Sequence, residues 1–82
     1  SGELSGLTFV ITGDVHVFKN RNELTDFIEA HGGKCSGSVS KKTEALINND
    51  SASQSSKNVK ANGLGIKILT EESFLENYNL SK

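Results

Sequence analysis

A single cysteine, no long apolar run and almost no net charge narrow what this chain can be. Cys35 alone excludes an internal disulfide and a multi-cysteine zinc site. No stretch approaches the ~20 apolar residues of a membrane span, and none forms the apolar core of a signal peptide. A reducing cytoplasm is therefore the expected compartment. Nine Lys and Arg against ten Asp and Glu leave a net charge of −1, which fits neither a nucleic-acid-coating protein nor a strongly acidic one. The 82 residues suffice for one domain, and a chain of this size buries roughly 60% of its unfolded surface. A deep cleft between two lobes is hard to build from so little. The first residues are Ser1-Gly2 rather than Met, which predicts a fragment of a longer protein or a residual tag.

Catalytic groupings are also missing. Cys35 has no candidate base at any local spacing, and His16 falls in a loop. His31 continues the inner stripe of a helix, which predicts a packed histidine rather than a base. No His, Cys and carboxylate set has ligand spacing. Glu71-Glu72 reads as a pair of helix-start acids. A binding module is expected, not an enzyme.

What is present is a strand and helix pattern. Residues 7–12, Leu-Thr-Phe-Val-Ile-Thr, are apolar at successive positions and stop at Gly13. That predicts a strand covered on both faces, as in parallel sheets. Asn20 is a helix cap with Glu23 at the capping-box position. Leu24, Phe27, Ile28 and His31 then recur at helical spacing up to Gly32-Gly33. Residues 34–39 predict a weak strand and 45–47 a short one, followed by a polar loop over 48–56. Ser55 or Ser56 caps a short helix running to about Asn62, ended by Gly63 and Gly65. Residues 66–69 predict a strand, and Thr70 caps a last helix whose inner face is Phe74, Leu75 and Tyr78. The order β-α-β-β-α-β-α predicts a mainly parallel sheet with helices on both faces.

The charges are unevenly placed. Between residues 32 and 67, six lysines (34, 41, 42, 57, 60 and 67) face only Glu44 and Asp50, a local net of +4. The rest carries Lys19, Arg21 and Lys82 against eight acids, a net of −5. Such asymmetry puts a positive face on a neutral protein.

Phosphate binding is the chemistry these residues suit best. Thr12-Gly13 ends the first buried strand, and ligands of α/β folds bind at the carboxyl ends of strands. A threonine hydroxyl and an unobstructed glycine amide both donate to a phosphate oxygen. Lys57 falls in the first turn of the second helix, where free amides favour an anion. Arg21, opening the first helix, can bind phosphate bidentately. Lys41 and Lys42, in Ser-Val-Ser-Lys-Lys-Thr between two strands, are candidate contacts to a nucleic-acid backbone. No aromatic residue interleaves with these lysines, so base stacking is not expected.

Taken jointly, these blocks resemble a BRCT domain. Residues 4–13 resemble its opening strand, 21–34 its first helix and Gly-Gly turn, 36–43 the segment before its third strand, and 56–74 its remainder. Ser-Val-Ser-Lys-Lys-Thr and Ser-Lys-x-x-Lys-Ala are most like the C-terminal domain of bacterial NAD-dependent DNA ligases. The resemblance implies a four-stranded parallel sheet of order 2-1-3-4 flanked by three helices, in one domain over residues 4–79 with 1–3 and 80–82 as tails. It further implies a phosphate pocket at Thr12, Gly13, Lys57 and Arg21. Phe74 stands where many members carry tryptophan, and the 48–56 loop is longer than usual.

The resemblance implies a non-catalytic, monomeric module of a bacterial ligase, cytoplasmic and associated with the nucleoid. It would hold no cofactor of its own, NAD being bound elsewhere in the ligase. Its partners would be nicked or 5′-phosphorylated DNA, bound weakly, and other domains of the parent protein. Three or four phosphate contacts predict a log-log salt slope near −3. The alternative is a docking module for the parent's other domains, a repair partner or a phosphopeptide.

Overall fold

The structure, a computed structural model, describes residues 2–82. Its elements are β1 (Thr8–Ile11), α1 (Arg21–Ala30), β2 (Lys34–Ser36), β3 (Ala45–Ile47), α2 (Ser56–Leu64), β4 (Lys67–Leu69) and α3 (Glu71–Asn77). The four strands form one parallel sheet in the order β2-β1-β3-β4, as the sequence pattern and the family resemblance imply.

Strand alternation divides the core in two. Phe9, Ala45, Ile47 and Leu69 face α1 and α3, packing on Leu24, Ile28 and Phe74. Phe9 meets Phe74 edge-on at 5.3 Å and Tyr78 at 5.5 Å. Val10 and Leu46 face the other way, onto Ala61 of α2, Val39, Ile66 and Ile68. Successive apolar residues in β1 and β3 thus serve opposite faces, which is why neither strand reads as alternating.

The helix caps follow the local sequence. Asn20 accepts the Glu23 N–H at 2.8 Å, while the Glu23 carboxylate reaches back one residue beyond the cap, to the Lys19 N–H. Ser55 caps α2 and Thr70 caps α3. The second helix continues past Asn62 and Gly63 to Leu64, stopping at left-handed Gly65. Gly33 packs tightly beneath α1: a β-carbon there would lie 2.8 Å from Ile28 Cγ2.

Two segments differ from the sequence expectation. β2 ends at Ser36, and Val39 leaves the sheet plane to fill the α2 face. Leu80, assigned above to a terminal tail, is buried in the main core, its N–H donating to Leu75 O. Lys82 follows it onto the β1–α1 loop, donating to Val17 O beside the Phe18 ring. An apolar residue two places from the end of a sequence carries no periodicity signal that separates core from tail.

Candidate phosphate-binding site

The carboxyl ends of β1, β3 and β4 form one edge, stitched by the Thr12 N–H to Ile47 O and the Asn48 N–H to Leu69 O. A cavity of about 450 Å³ opens there, lined by Thr12, Gly13, Asp14, His16, Asn48, Asn49, Asp50, Ser53 and Ser55. A smaller depression of about 300 Å³ shares Gly13 and Asp14 and continues to Lys19, Asn20 and Arg21. Among the described residues, no hydrogen bond engages the Thr12 hydroxyl or the Gly13 N–H. Both are free to donate to a ligand.

Two hydrogen-bond networks shape this edge. The first is centred on Glu71, whose carboxylate is fully buried at the start of α3. It accepts the N–H groups of His16, Val17 and Phe18 at 2.7, 3.0 and 2.8 Å, and Asn49 Nδ2 at 2.7 Å. Asn49 Oδ1 in turn accepts the Glu71 N–H. Burial pushes the Glu71 carboxyl up, but these four donors outweigh it and hold the group below the usual carboxylate range. His16 sits on the rim, its Nε2 3.2 Å from Glu72 Oε2.

The second network joins the 48–55 loop to α2. Asn48 Nδ2 donates to Asn58 Oδ1 at 2.8 Å, and Asn58 Nδ2 donates to Asp50 O and Ser51 O. Asn48 Oδ1 accepts the Asp50 N–H. Gly13 closes over this pair at φ 75°, where a β-carbon would lie 2.9 Å from Asn48 Oδ1. The turn therefore admits only glycine without strain.

The six candidate residues fall into two groups. Thr12 and Gly13 line the cavity, and Arg21 lines the adjoining depression. Lys57 lies two residues beyond Ser55 in the first turn of α2, half-buried and outside both walls. Lys41 and Lys42 lie at the other end of the sheet. They precede Thr43 and Glu44, and the Glu44 N–H donates to Thr8 O at the start of β1. At ~3.3 Å per residue, Thr8 and Thr12 are separated by about 13 Å along the strand. One phosphate cannot touch both groups.

The sequence reading missed the lining residues Asp14, His16, Asn48, Asn49, Asp50 and Lys19. Their signal was available in part: in a parallel sheet, the residues that follow β3 must emerge beside those that follow β1. Asp14 and Asp50 place carboxylates in the cavity walls, while Arg21 lines only the adjoining depression and Lys57 neither.

Other titratable groups are committed elsewhere. His31 packs on Phe27 and contacts its carbonyl at 2.8 Å through Nδ1. Burial pushes the Cys35 thiol up, with Thr25 lowering it and Glu29 raising it, which opposes nucleophilic behaviour. Glu44 accepts the Tyr78 hydroxyl at 2.6 Å and pairs with Lys67 at 3.2 Å. Among the described residues, no cluster of His, Cys, Asp and Glu could hold a metal ion, and no helix is long and apolar enough to cross a membrane.

Comparison with known proteins places this geometry in a family. The model of the BRCA1 C Terminus (BRCT) domain matches residues 1–76. The chain is 61% identical over 79 residues to a DNA ligase of Lachnoclostridium phytofermentans, covering 96% of this chain and 12% of the ligase. It is 44% identical over 77 residues to a DNA ligase of Symbiobacterium thermophilum, covering 94% and 11%. With a DNA ligase of Neisseria gonorrhoeae it shares 47% over 72 residues, covering 88% and 8%. The chain thus spans about a tenth of the length of these relatives.

Proposed function

This chain belongs to the BRCT domain family, and from that premise we propose that it is the non-catalytic DNA-engaging module of a bacterial NAD-dependent DNA ligase. In this reading it seats a terminal 5′-phosphate, as at a nick, on Thr12 and Gly13. Arg21 and Lys57 supply positive charge from either side. NAD and the adenylation chemistry belong to other parts of the ligase, and the domain works in the bacterial cytoplasm, on the nucleoid.

The observation that carries this reading is the pair of unengaged donors, the Thr12 hydroxyl and the Gly13 N–H, at the carboxyl edge of a parallel sheet. The first turn of α2 stands beside the cavity with Ser55 in its wall. Neither Arg21 nor Lys57 forms an ion pair among the described residues. Asp14 and Asp50 oppose the anion, and this keeps the affinity low. The 61% identity to a protein named DNA ligase supports DNA as the polymer that presents the phosphate.

Titrating the domain with matched duplexes, with and without a 5′-phosphate, tests the proposal. The phosphorylated duplex is expected to bind several-fold tighter, and Lys57→Glu or Thr12→Val is expected to abolish that preference. Equal binding of the two duplexes by the unaltered domain would remove the pocket from the reading.

A further inference from the structure

The charge asymmetry of the sequence becomes, in the fold, a division between the two faces of the sheet. The side that carries α2 also carries the 37–43 segment, which crosses it with Val39 packed on Val10, Leu46 and Ala61. Lys34 belongs to the same side: it pairs in register with Thr8, while its neighbour Cys35 packs into the opposite core. Lys34, Lys41, Lys42 and Lys60 are exposed there, and half-buried Lys57 lies at the end nearest the cavity.

Residues 34–43 and 51–66, which build this side, contain no Asp or Glu. None of the five lysines forms an ion pair among the described residues. The sixth lysine of the basic stretch, Lys67, is different, because Glu44 neutralises it. The opposite side presents Glu23, Asp26 and Glu29 from α1 and Glu72 and Glu76 from α3.

We infer that the α2 side is a docking face for the backbone of duplex DNA, running from the cavity edge to Lys41 and Lys42 at the far end of the sheet. The inference rests on the proposed function for the choice of polymer, but it concerns a surface that shares only Lys57 with the phosphate site. Its chemistry favours a nucleic-acid backbone over an acidic protein. Lysine is depleted at protein interfaces, which centre on aromatic and apolar residues. This face holds no aromatic residue, and Val59 and Leu64 are its only large exposed apolar side chains. Ser38, Ser40, Ser51 and Ser56 lie among the lysines, and serine and lysine are usual phosphate contacts.

The span also suits a duplex. About 13 Å separates the two ends of β1, by the strand rise used above, and the minor groove between two phosphate backbones is about 6 Å wide by its usual measure. The face is therefore longer than one phosphate contact requires and reaches more than one phosphate. The acids of the α1 and α3 side repel the backbone and fix which side docks.

The test uses an unphosphorylated blunt duplex, so that the terminal-phosphate pocket is not being read. Five lysine contacts predict a log-log salt slope of about −4.5, or an about 500-fold loss of affinity between 50 and 200 mM salt. This is steeper than the slope of about −3 expected from a pocket and one lysine pair. The triple variant Lys34→Gln, Lys41→Gln, Lys60→Gln is expected to flatten the slope to about −1.8. Asp26→Asn with Glu29→Gln, on the opposite side, is expected to leave it unchanged.

A triple variant that keeps its fold by circular dichroism and also keeps its slope and affinity would overturn the docking face. So would poly-L-glutamate binding as tightly as the duplex, which would assign the face to an acidic protein. If the unaltered domain shows the steep slope but no preference for a 5′-phosphate, the pocket fails and the docking face stands.

Discussion

Glu71 Oε2 accepts the Phe18 N–H at 2.8 Å across 53 positions of sequence, in a site closed to solvent. The other carboxylate oxygen takes the N–H groups of His16 and Val17 and the amide of Asn49. One side chain thereby fastens both loops that line the cavity, the one after β1 and the one after β3, to the first residue of α3. A charged acceptor facing four donors is a strong arrangement when complete and a costly one when broken.

Replacing this acceptor tests how far the cavity depends on it. Glu71→Gln keeps the shape but places an amide NH₂ against the donors, and the expected loss is about 2–3 kcal/mol of stability. The lowered carboxyl also fixes a pH dependence. A group whose pKa is lower in the folded state adds stability that is complete above its unfolded pKa of about 4.3 and disappears as pH falls through the folded value. Urea melts of the parent domain are expected to lose stability below about pH 4.3, and those of Glu71→Gln to lose distinctly less. Glu44, lowered mainly by the Tyr78 hydroxyl with Lys67 assisting against burial, contributes in the same window. Some acid sensitivity therefore remains in the variant. Parallel acid limbs in the two proteins would show that Glu71 carries none of it.

Gly13 makes a second, steric prediction. Gly13→Ala forces a left-handed backbone, worth about 1–2 kcal/mol, and drives a methyl to 2.9 Å from Asn48 Oδ1. The combined cost is expected to reach about 2–3 kcal/mol, with amide chemical shifts moving at Asn48 and Asp50 as that pair gives way. Gly37→Ala is the comparison, since its added carbon meets nothing within 4 Å and its φ is not in the left-handed region. It is expected to be within about 0.5 kcal/mol of the parent. Equal thermal midpoints for the two alanine variants would contradict the close approach at Gly13.

How much of this was legible in the sequence depends on how local the cause was. Caps act over three residues: Asn20 and Thr70 are seen where the sequence places them, and of the two serines it offers for α2, Ser55 is the cap. The buried strands were readable because covering both faces of a sheet leaves no polar side. The resemblance supplied strand order, which no local pattern encodes. Glu71 was read as an ordinary helix-start acid, because its partners lie 22 to 55 residues away and nothing in a Glu-Glu pair announces burial. The Asn48–Asn58 pair, ten positions apart, was hidden because it joins a residue read as polar loop to one in the following short helix, and neither shows a pattern of burial. Lys41 and Lys42 were singled out with the pocket lysines, and only topology shows that they occupy the other end of the sheet.

Asn58 provides the third prediction, linking the loop to the phosphate site. Its side chain is fully buried, accepts from Asn48 and donates to the carbonyls of Asp50 and Ser51. Asn58→Asp keeps the acceptor for Asn48 but removes both donors and buries a charge against two carbonyl oxygens. The expected cost at neutral pH is about 3 kcal/mol, and it should shrink as pH falls and the introduced carboxyl protonates. That dependence runs opposite to the one expected from Glu71, so a single pH series separates the two networks. Because Asn58 follows Lys57 directly, loosening it also frees the first turn of α2. Any preference for a 5′-phosphorylated duplex should therefore weaken in Asn58→Asp at a temperature where the domain is still folded. Stability lost with the phosphate preference intact would show that Lys57 is positioned without help from the loop.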